Sequence, residues 1–205
     1  MSRRTNQSLK SLDHIHVINP DLRDSVREIE MWQRSEPRKN TITAETYAQL
    51  GVLVVEDTLH MATLLRGVLN GIGIRNIVSA RSGEDALSAL MRGRVDLAIM
   101  DDLEPPLDGL SVVRAIRLAE EDTLNQIPVI YLTTKRERSA IIAARDAGVT
   151  EILSKPFSAQ QLIERMETVL TRPRTIVRSE AFTGPDRRRR DGKAIVKRRE
   201  ADRKP

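Results

Sequence analysis

Cysteine is absent from all 205 residues, which excludes disulfides, thiolate metal sites and thiol catalysis and fits a reducing, cytoplasmic location. Long apolar runs are missing too. None approaches the roughly 18 residues needed to cross a bilayer, and the basic start Met1-Ser2-Arg3-Arg4 has no apolar stretch behind it of the kind a secretory signal carries. No membrane association is therefore expected. The glycines do not build a nucleotide cradle: Gly71 and Gly73 lack a third glycine and follow a helix rather than the first strand. The three histidines, His14, His16 and His60, are too scattered to share a metal ion.

What is present is enough apolar material, 40% of residues, to bury one core of about 100–150 residues with sequence to spare. Charge divides the chain unevenly. Residues 1–47 carry 8 basic and 7 acidic groups, residues 48–171 carry 13 and 17, and residues 172–205 carry 13 and 5. The sequence pI near 9.9 thus belongs to the last segment, and the middle of the chain is mildly acidic.

Residues 48–171 alternate in type. Gly51–Val55 is a continuous apolar, β-branched run, the pattern of a strand buried on both faces of a parallel sheet. Met61, Leu64, Leu65, Val68 and Leu69 then recur at helical spacing, with Gly71 and Gly73 closing that helix. Strands follow near Arg75–Ser79, Val95–Met100, Val129–Leu132 and Thr150–Leu153. Helices follow near Glu84–Met91, Leu110–Leu118, Arg136–Ala147 and Ala159–Leu170. Five strands alternating with five helices predict an α/β fold, a five-stranded parallel sheet with helices on both faces. Such sheets bind ligands outside the carboxyl ends of their strands, where strand order reverses. Glu56, Asp57, Asp101, Thr133 and Lys155 all fall on that edge.

Three carboxylates, a hydroxyl and an ammonium suit phosphoryl chemistry. Asp57 and Asp101 are natural direct ligands for Mg²⁺, with Glu56 acting through a water. Crowded without metal, the three carboxylates repel, so at least one should have a raised pKa. Thr133 can donate to one phosphoryl oxygen and Lys155 can pair with another. Backbone N–H groups after Asp101 and Thr133 are further potential donors.

These residues resemble the response-regulator receiver domain (CheY-like, flavodoxin-like fold) of bacterial two-component signalling, over about residues 49–171. Val52-Leu53-Val54-Val55-Glu56-Asp57 resembles the family's first strand and acid pair, with Glu-Asp where Asp-Asp is commonest. Asp101 stands four residues before Pro105 and seven before Asp108-Gly109, the spacing of the family's phosphoacceptor; Asp102 would break that spacing. Pro128-Val129-Ile130-Tyr131-Leu132-Thr133-Thr134 resembles the fourth strand with its switch hydroxyl, and Ala147-Gly148 through Lys155-Pro156-Phe157 the fifth with its lysine. The resemblance implies a cis Lys155–Pro156 peptide, the Leu103 carbonyl as a metal ligand, and a histidine kinase or phosphotransfer protein as phosphoryl donor. It implies no conventional enzyme, because such a domain catalyses only its own phosphorylation and dephosphorylation. An aspartate-nucleophile phosphatase of the haloacid-dehalogenase type would want Asp-x-Asp, which Asp101-Asp102-Leu103-Glu104 does not supply. One position departs from the family: Ile152 stands where Tyr or Phe is usual, three residues before the lysine.

The ends are read differently. Asn19-Pro20-Asp21 is expected to start an N-terminal helix near 21–33, with Leu22, Val26, Ile29 and Trp32 on one stripe, packing on the receiver or on a second subunit of a homodimer. Pro37 through Thr43 reads as a linker. From Arg172-Pro173 onward the periodicity fades, and a basic, disordered tail is expected over 172–205. Its single aromatic, Phe182, offers little for base stacking, so an acidic protein partner suits it better than nucleic acid. The alternative to a phosphoacceptor is a phosphate-independent scaffold acting through this tail. Phosphorylation would otherwise be reported by a changed surface around the helix near 136–147, the strand near 150–153 and the helix near 159–170, read by a downstream protein.

Overall fold

The computed structural model describes residues 42–179 and 182–186; the expected helix near 21–33 and residues 187–205 lie outside them. A one-turn helix α1 (Ala44–Tyr47) leads into β1 (Gly51–Val55), α2 (Leu59–Gly71), β2 (Asn76–Ala80), α3 (Gly83–Arg92) and β3 (Leu97–Met100). Then come α4 (Gly109–Leu118), a short α5 (Asp122–Asn125), β4 (Val129–Thr133), α6 (Arg138–Asp146), β5 (Glu151–Ser154) and α7 (Ala159–Thr171). A hairpin, β6 (Ile176–Ser179) and β7 (Phe182–Pro185), follows. Strands β1 to β5 form one parallel sheet in the order β2-β1-β3-β4-β5, as the alternation predicts.

The continuous apolar strands have a direct cause. Successive side chains leave a strand on opposite faces, and both faces here are covered. Val52, Val54, Leu97, Ile99, Ile130, Leu132 and Leu153 meet Leu65, Leu69, Leu162, Ile163 and Met166 of α2 and α7. The alternate residues Leu53, Val55, Ala98, Met100, Val129 and Tyr131 meet Ala86, Leu90, Val112, Val113, Ile116 and Ala144 of α3, α4 and α6. Helix starts are fixed locally. Ser82 and Asp108 accept the backbone N–H three residues on, and Ser158 forms a reciprocal capping box with Gln161.

The core begins earlier, and the described secondary structure runs further, than the sequence suggests. Ile42 and Tyr47 are buried with α2 and α7, so the expected boundary at residue 48 and the linker through Thr43 give way at 42–43. A single helical turn is too short to show periodicity. The expectation of disorder from 172 is corrected over β6 and β7. Arg178 donates to the Ala119 carbonyl at 2.8 Å and Arg174 to Glu151 at 3.2 Å. Gly184 and Pro185 are buried, and β7 packs against α4 and α6. That hairpin gains its stability from docking, which no local pattern announces.

Arg117 is the polar centre of this end of the molecule. It is 1% exposed, and burial lowers its pKa to about 10. Its guanidinium donates to the carbonyls of Gly148 (2.9 Å), Asn125 (2.8 Å) and Ile127 (2.8 Å) and to the Thr150 hydroxyl (3.4 Å). The planar fork thereby joins the end of α4 to the starts of β4 and β5. Gly148 stands at φ +96°, and a Cβ there would lie 2.7 Å from Arg117 Cγ. Replacing Arg117→Met leaves buried carbonyls without their donor, and Gly148→Ala adds both strain and collision. Arg117→Met is expected to cost about 3 kcal/mol and Gly148→Ala at least about 1 kcal/mol, read as lowered urea midpoints at unchanged denaturant slope.

Candidate functional site

Four strands deliver polar groups to one edge of the sheet. Glu56 and Asp57 follow β1, Asp101 follows β3, Thr133 ends β4 and Lys155 follows β5. The strand exits are tied by backbone bonds: Asp101 N–H to the Val55 carbonyl at 2.9 Å, Glu56 N–H to Ala80 at 3.1 Å, and Lys155 N–H to Thr133 at 2.8 Å. The edge therefore inherits the rigidity of the sheet. All five residues expected there are brought to it.

Glu56, Asp57 and Asp101 each place one oxygen within 4.8 Å of the others. That is close enough for one hard cation to share them. The Lys155 ammonium lies 2.6 Å from Asp101 Oδ1 and 3.2 Å from Glu56 Oε2. Glu56 is 1% exposed, and its other oxygen accepts the Thr58 N–H at 3.1 Å. Asp57 is exposed and accepts the Thr58 hydroxyl at 3.1 Å. The buried Thr133 oxygen accepts the Lys135 N–H at 3.1 Å. Arg81 and Arg136 brace the rim through the carbonyls of Asp57 and Lys155, each at 3.2 Å. The Lys155–Pro156 peptide is cis, as is Pro105–Pro106.

The charges divide as crowding requires. Burial first, and then the Asp101 charge, raise the Glu56 carboxyl; Lys155 and the Thr58 N–H pull it down without cancelling the rise. Burial also disfavours the Lys155 ammonium, but Asp101 and Glu56 outweigh it and its pKa is raised. The expected crowding of carboxylates thus falls on Glu56, the most enclosed of the three.

Two features lay outside the sequence reading. Asp102, set aside on spacing, accepts the Tyr131 hydroxyl at 2.8 Å on Oδ1 and the Lys135 ammonium at 2.7 Å on Oδ2. The signal in the sequence was the alternation of a strand exit, which sends neighbouring residues to opposite sides. Gly109 is the second. A Cβ there would collide with the Asp101 carbonyl and lie 3.1 Å from the Tyr131 ring, so only glycine lets α4 begin against the end of β3.

Comparisons place this arrangement among known proteins. Residues 52–167 match the response regulator receiver domain family. The chemotaxis protein CheY of Pseudomonas aeruginosa is 34% identical over 121 residues, 59% of this chain and 96% of that protein. The structure of Vibrio cholerae chemotaxis protein CheY4 superposes with a TM-score of 0.55 at 26% identity, covering 59% of this chain and 98% of the other. The receiver domain of a P. aeruginosa sensor histidine kinase, solved with a magnesium ion coordinated in its active site cleft, gives 0.52 at 29% identity, over 58% and 94%. Among the described residues no helix is long and apolar enough to cross a membrane.

Because the folded Glu56 carboxyl holds its proton more tightly than the unfolded one, it removes stability as pH rises from the ordinary carboxylate range through its raised value. Lys155 acts in the same direction at higher pH: its contribution is full below the ordinary lysine pKa and is lost as pH rises through its raised value. In metal-free protein, carboxyl-carbon NMR should show Glu56 titrating above an ordinary glutamate, and higher still in Lys155→Met. An ordinary midpoint in both proteins would contradict this account of the charges.

Proposed function

The chain belongs to the response regulator receiver family, and on that premise we propose that it is a phosphoacceptor signalling module in which Asp101 takes the phosphoryl group. The observation that carries this reading is the placement of Asp101 on a buried sheet edge, 2.6 Å from the Lys155 ammonium and within 4.8 Å of two further carboxylates. A histidine kinase or histidine phosphotransfer protein in the cytoplasm is the donor. The Asp101 carboxylate oxygen attacks phosphorus, the P–N bond of the donor phosphohistidine breaks, and its electron pair leaves with the imidazole nitrogen. The chain acts on itself, with no separate substrate to turn over.

Each neighbour has a proposed part. Glu56, Asp57 and Asp101, with the Leu103 carbonyl that the resemblance adds, would hold Mg²⁺, and the donor set of crowded carboxylates with one raised pKa fits such an ion. When bound, the metal offsets negative charge on the attacking and phosphoryl oxygens. Lys155 already pairs with Asp101 and turns its ammonium to a phosphoryl oxygen, while Thr133 donates its hydroxyl to another. The resulting charge change biases a two-state equilibrium, and the face formed by α6, β5 and α7 presents it to a downstream protein.

Incubation with acetyl phosphate and Mg²⁺ should add one phosphoryl mass to the intact protein. Asp101→Ala should abolish the gain and a chelator should prevent it. Thr133→Ala and Lys155→Met should each slow it by roughly a hundred-fold, the scale of losing one aligned donor to a transition-state charge. A wild-type chain that gains no mass, or an Asp101→Ala chain that gains as much, overturns the proposal.

A further inference from the structure

Tyr131 lies in register between Met100 on β3 and Ile152 on β5, so it shares a face with the position where the family's aromatic residue is replaced by Ile152. Its hydroxyl is held by Asp102, the residue directly after Asp101, at 2.8 Å. The second Asp102 oxygen holds Lys135 at 2.7 Å, and the backbone N–H of Lys135 is on the Thr133 oxygen at 3.1 Å. A closed path thus runs from the exit of β3 to the exit of β4: Tyr131, Asp102, Lys135, Thr133. Asp102 is mostly shielded at 22% side-chain exposure, whereas Lys135 is 60% exposed.

We propose that Asp102 and Lys135 form an electrostatic latch that phosphorylation of Asp101 opens, with Tyr131 as the side chain that senses the opening. The inference rests on Asp101 being the acceptor proposed above. A phosphoryl group carries about −1.5 to −2 charge where Asp101 carried one, and it arrives one residue from Asp102. It competes with Asp102 for the Lys135 ammonium and repels the Asp102 carboxylate, so both changes weaken the latch. Release of Lys135 frees the segment that carries the Thr133 hydroxyl, and release of Asp102 frees the Tyr131 hydroxyl. Lys135 and Tyr131 are positioning residues in this scheme, and the coupling passes through β4.

The test uses the full chain with Mg²⁺ and beryllofluoride, which stands in for the phosphoryl group on the aspartate. Lys135→Met should weaken beryllofluoride binding about two- to five-fold, the scale of an exposed ion pair. Asp102→Asn keeps an acceptor for Tyr131 and removes the competing charge, so it should strengthen binding by a similar factor. In the Lys135→Met background that gain should shrink, because only the relief of charge repulsion is left. With ring-labelled tyrosine, the Tyr131 hydroxyl-carbon resonance, assigned through Tyr131→Phe, should move when beryllofluoride binds wild type. An equal gain from Asp102→Asn in both backgrounds, or a Tyr131 resonance that stays in place, overturns the latch while leaving Asp101 as acceptor. Failure of wild type to bind beryllofluoride overturns both.

Discussion

Lys155 sits between two carboxylates that repel each other, 2.6 Å from Asp101 and 3.2 Å from the enclosed Glu56. Its single ammonium makes it possible to gather three acids at the mouth of an apolar sheet without metal, and its strand, β5, is positioned through the Thr133 carbonyl of β4. The cluster is therefore not an ornament on the fold. It is held by the same strand exits that the two apolar layers fix, and any group that enters must be able to replace Lys155 as the partner of that negative charge. A divalent cation and a phosphoryl group together can do so.

The parallel sheet supplies the second constraint. Both of its faces are dry, so polar side chains on β1, β3, β4 and β5 have nowhere to go except past the strand ends. Arg117 does at the opposite, loop-rich end what Lys155 does at the site: one buried cation gathers several oxygens, although there they belong to the backbone. The hairpin of β6 and β7 docks beside it. Its contact with α6 puts the start of the basic tail next to the face proposed to present the phosphorylated state.

Much of this was legible in advance, for identifiable reasons. Gly51–Val55 and Val95–Met100 read as strands because a two-sided burial leaves a nearly continuous apolar run, and Asp101 stood out because it ends such a run at a fixed distance from Pro105 and Asp108-Gly109. Less was visible where stability comes from docking. The one-turn helix before β1 and the hairpin after α7 are held by contacts distant in sequence, the short α5 by bonds of Asn125 to Ala119, Glu121 and Arg117, and none of their residues carries a period of its own. Asp102 was discarded because spacing can choose the acceptor of a tandem pair but cannot say what its neighbour faces.

The order of apolar runs, the acids and lysine at their ends, the cis-prone Lys155-Pro156 pair and the absence of cysteine belong to the sequence alone, since each is a matter of residue type and spacing. Which oxygens share the ammonium of Lys155, why Glu56 rather than Asp57 bears the cost of crowding, and how Tyr131, Asp102 and Lys135 close on one another were decided only in three dimensions. Burial, strand register and the direction of a side chain leaving a strand are properties of neighbours brought together by the fold, and no stretch of chain carries them by itself.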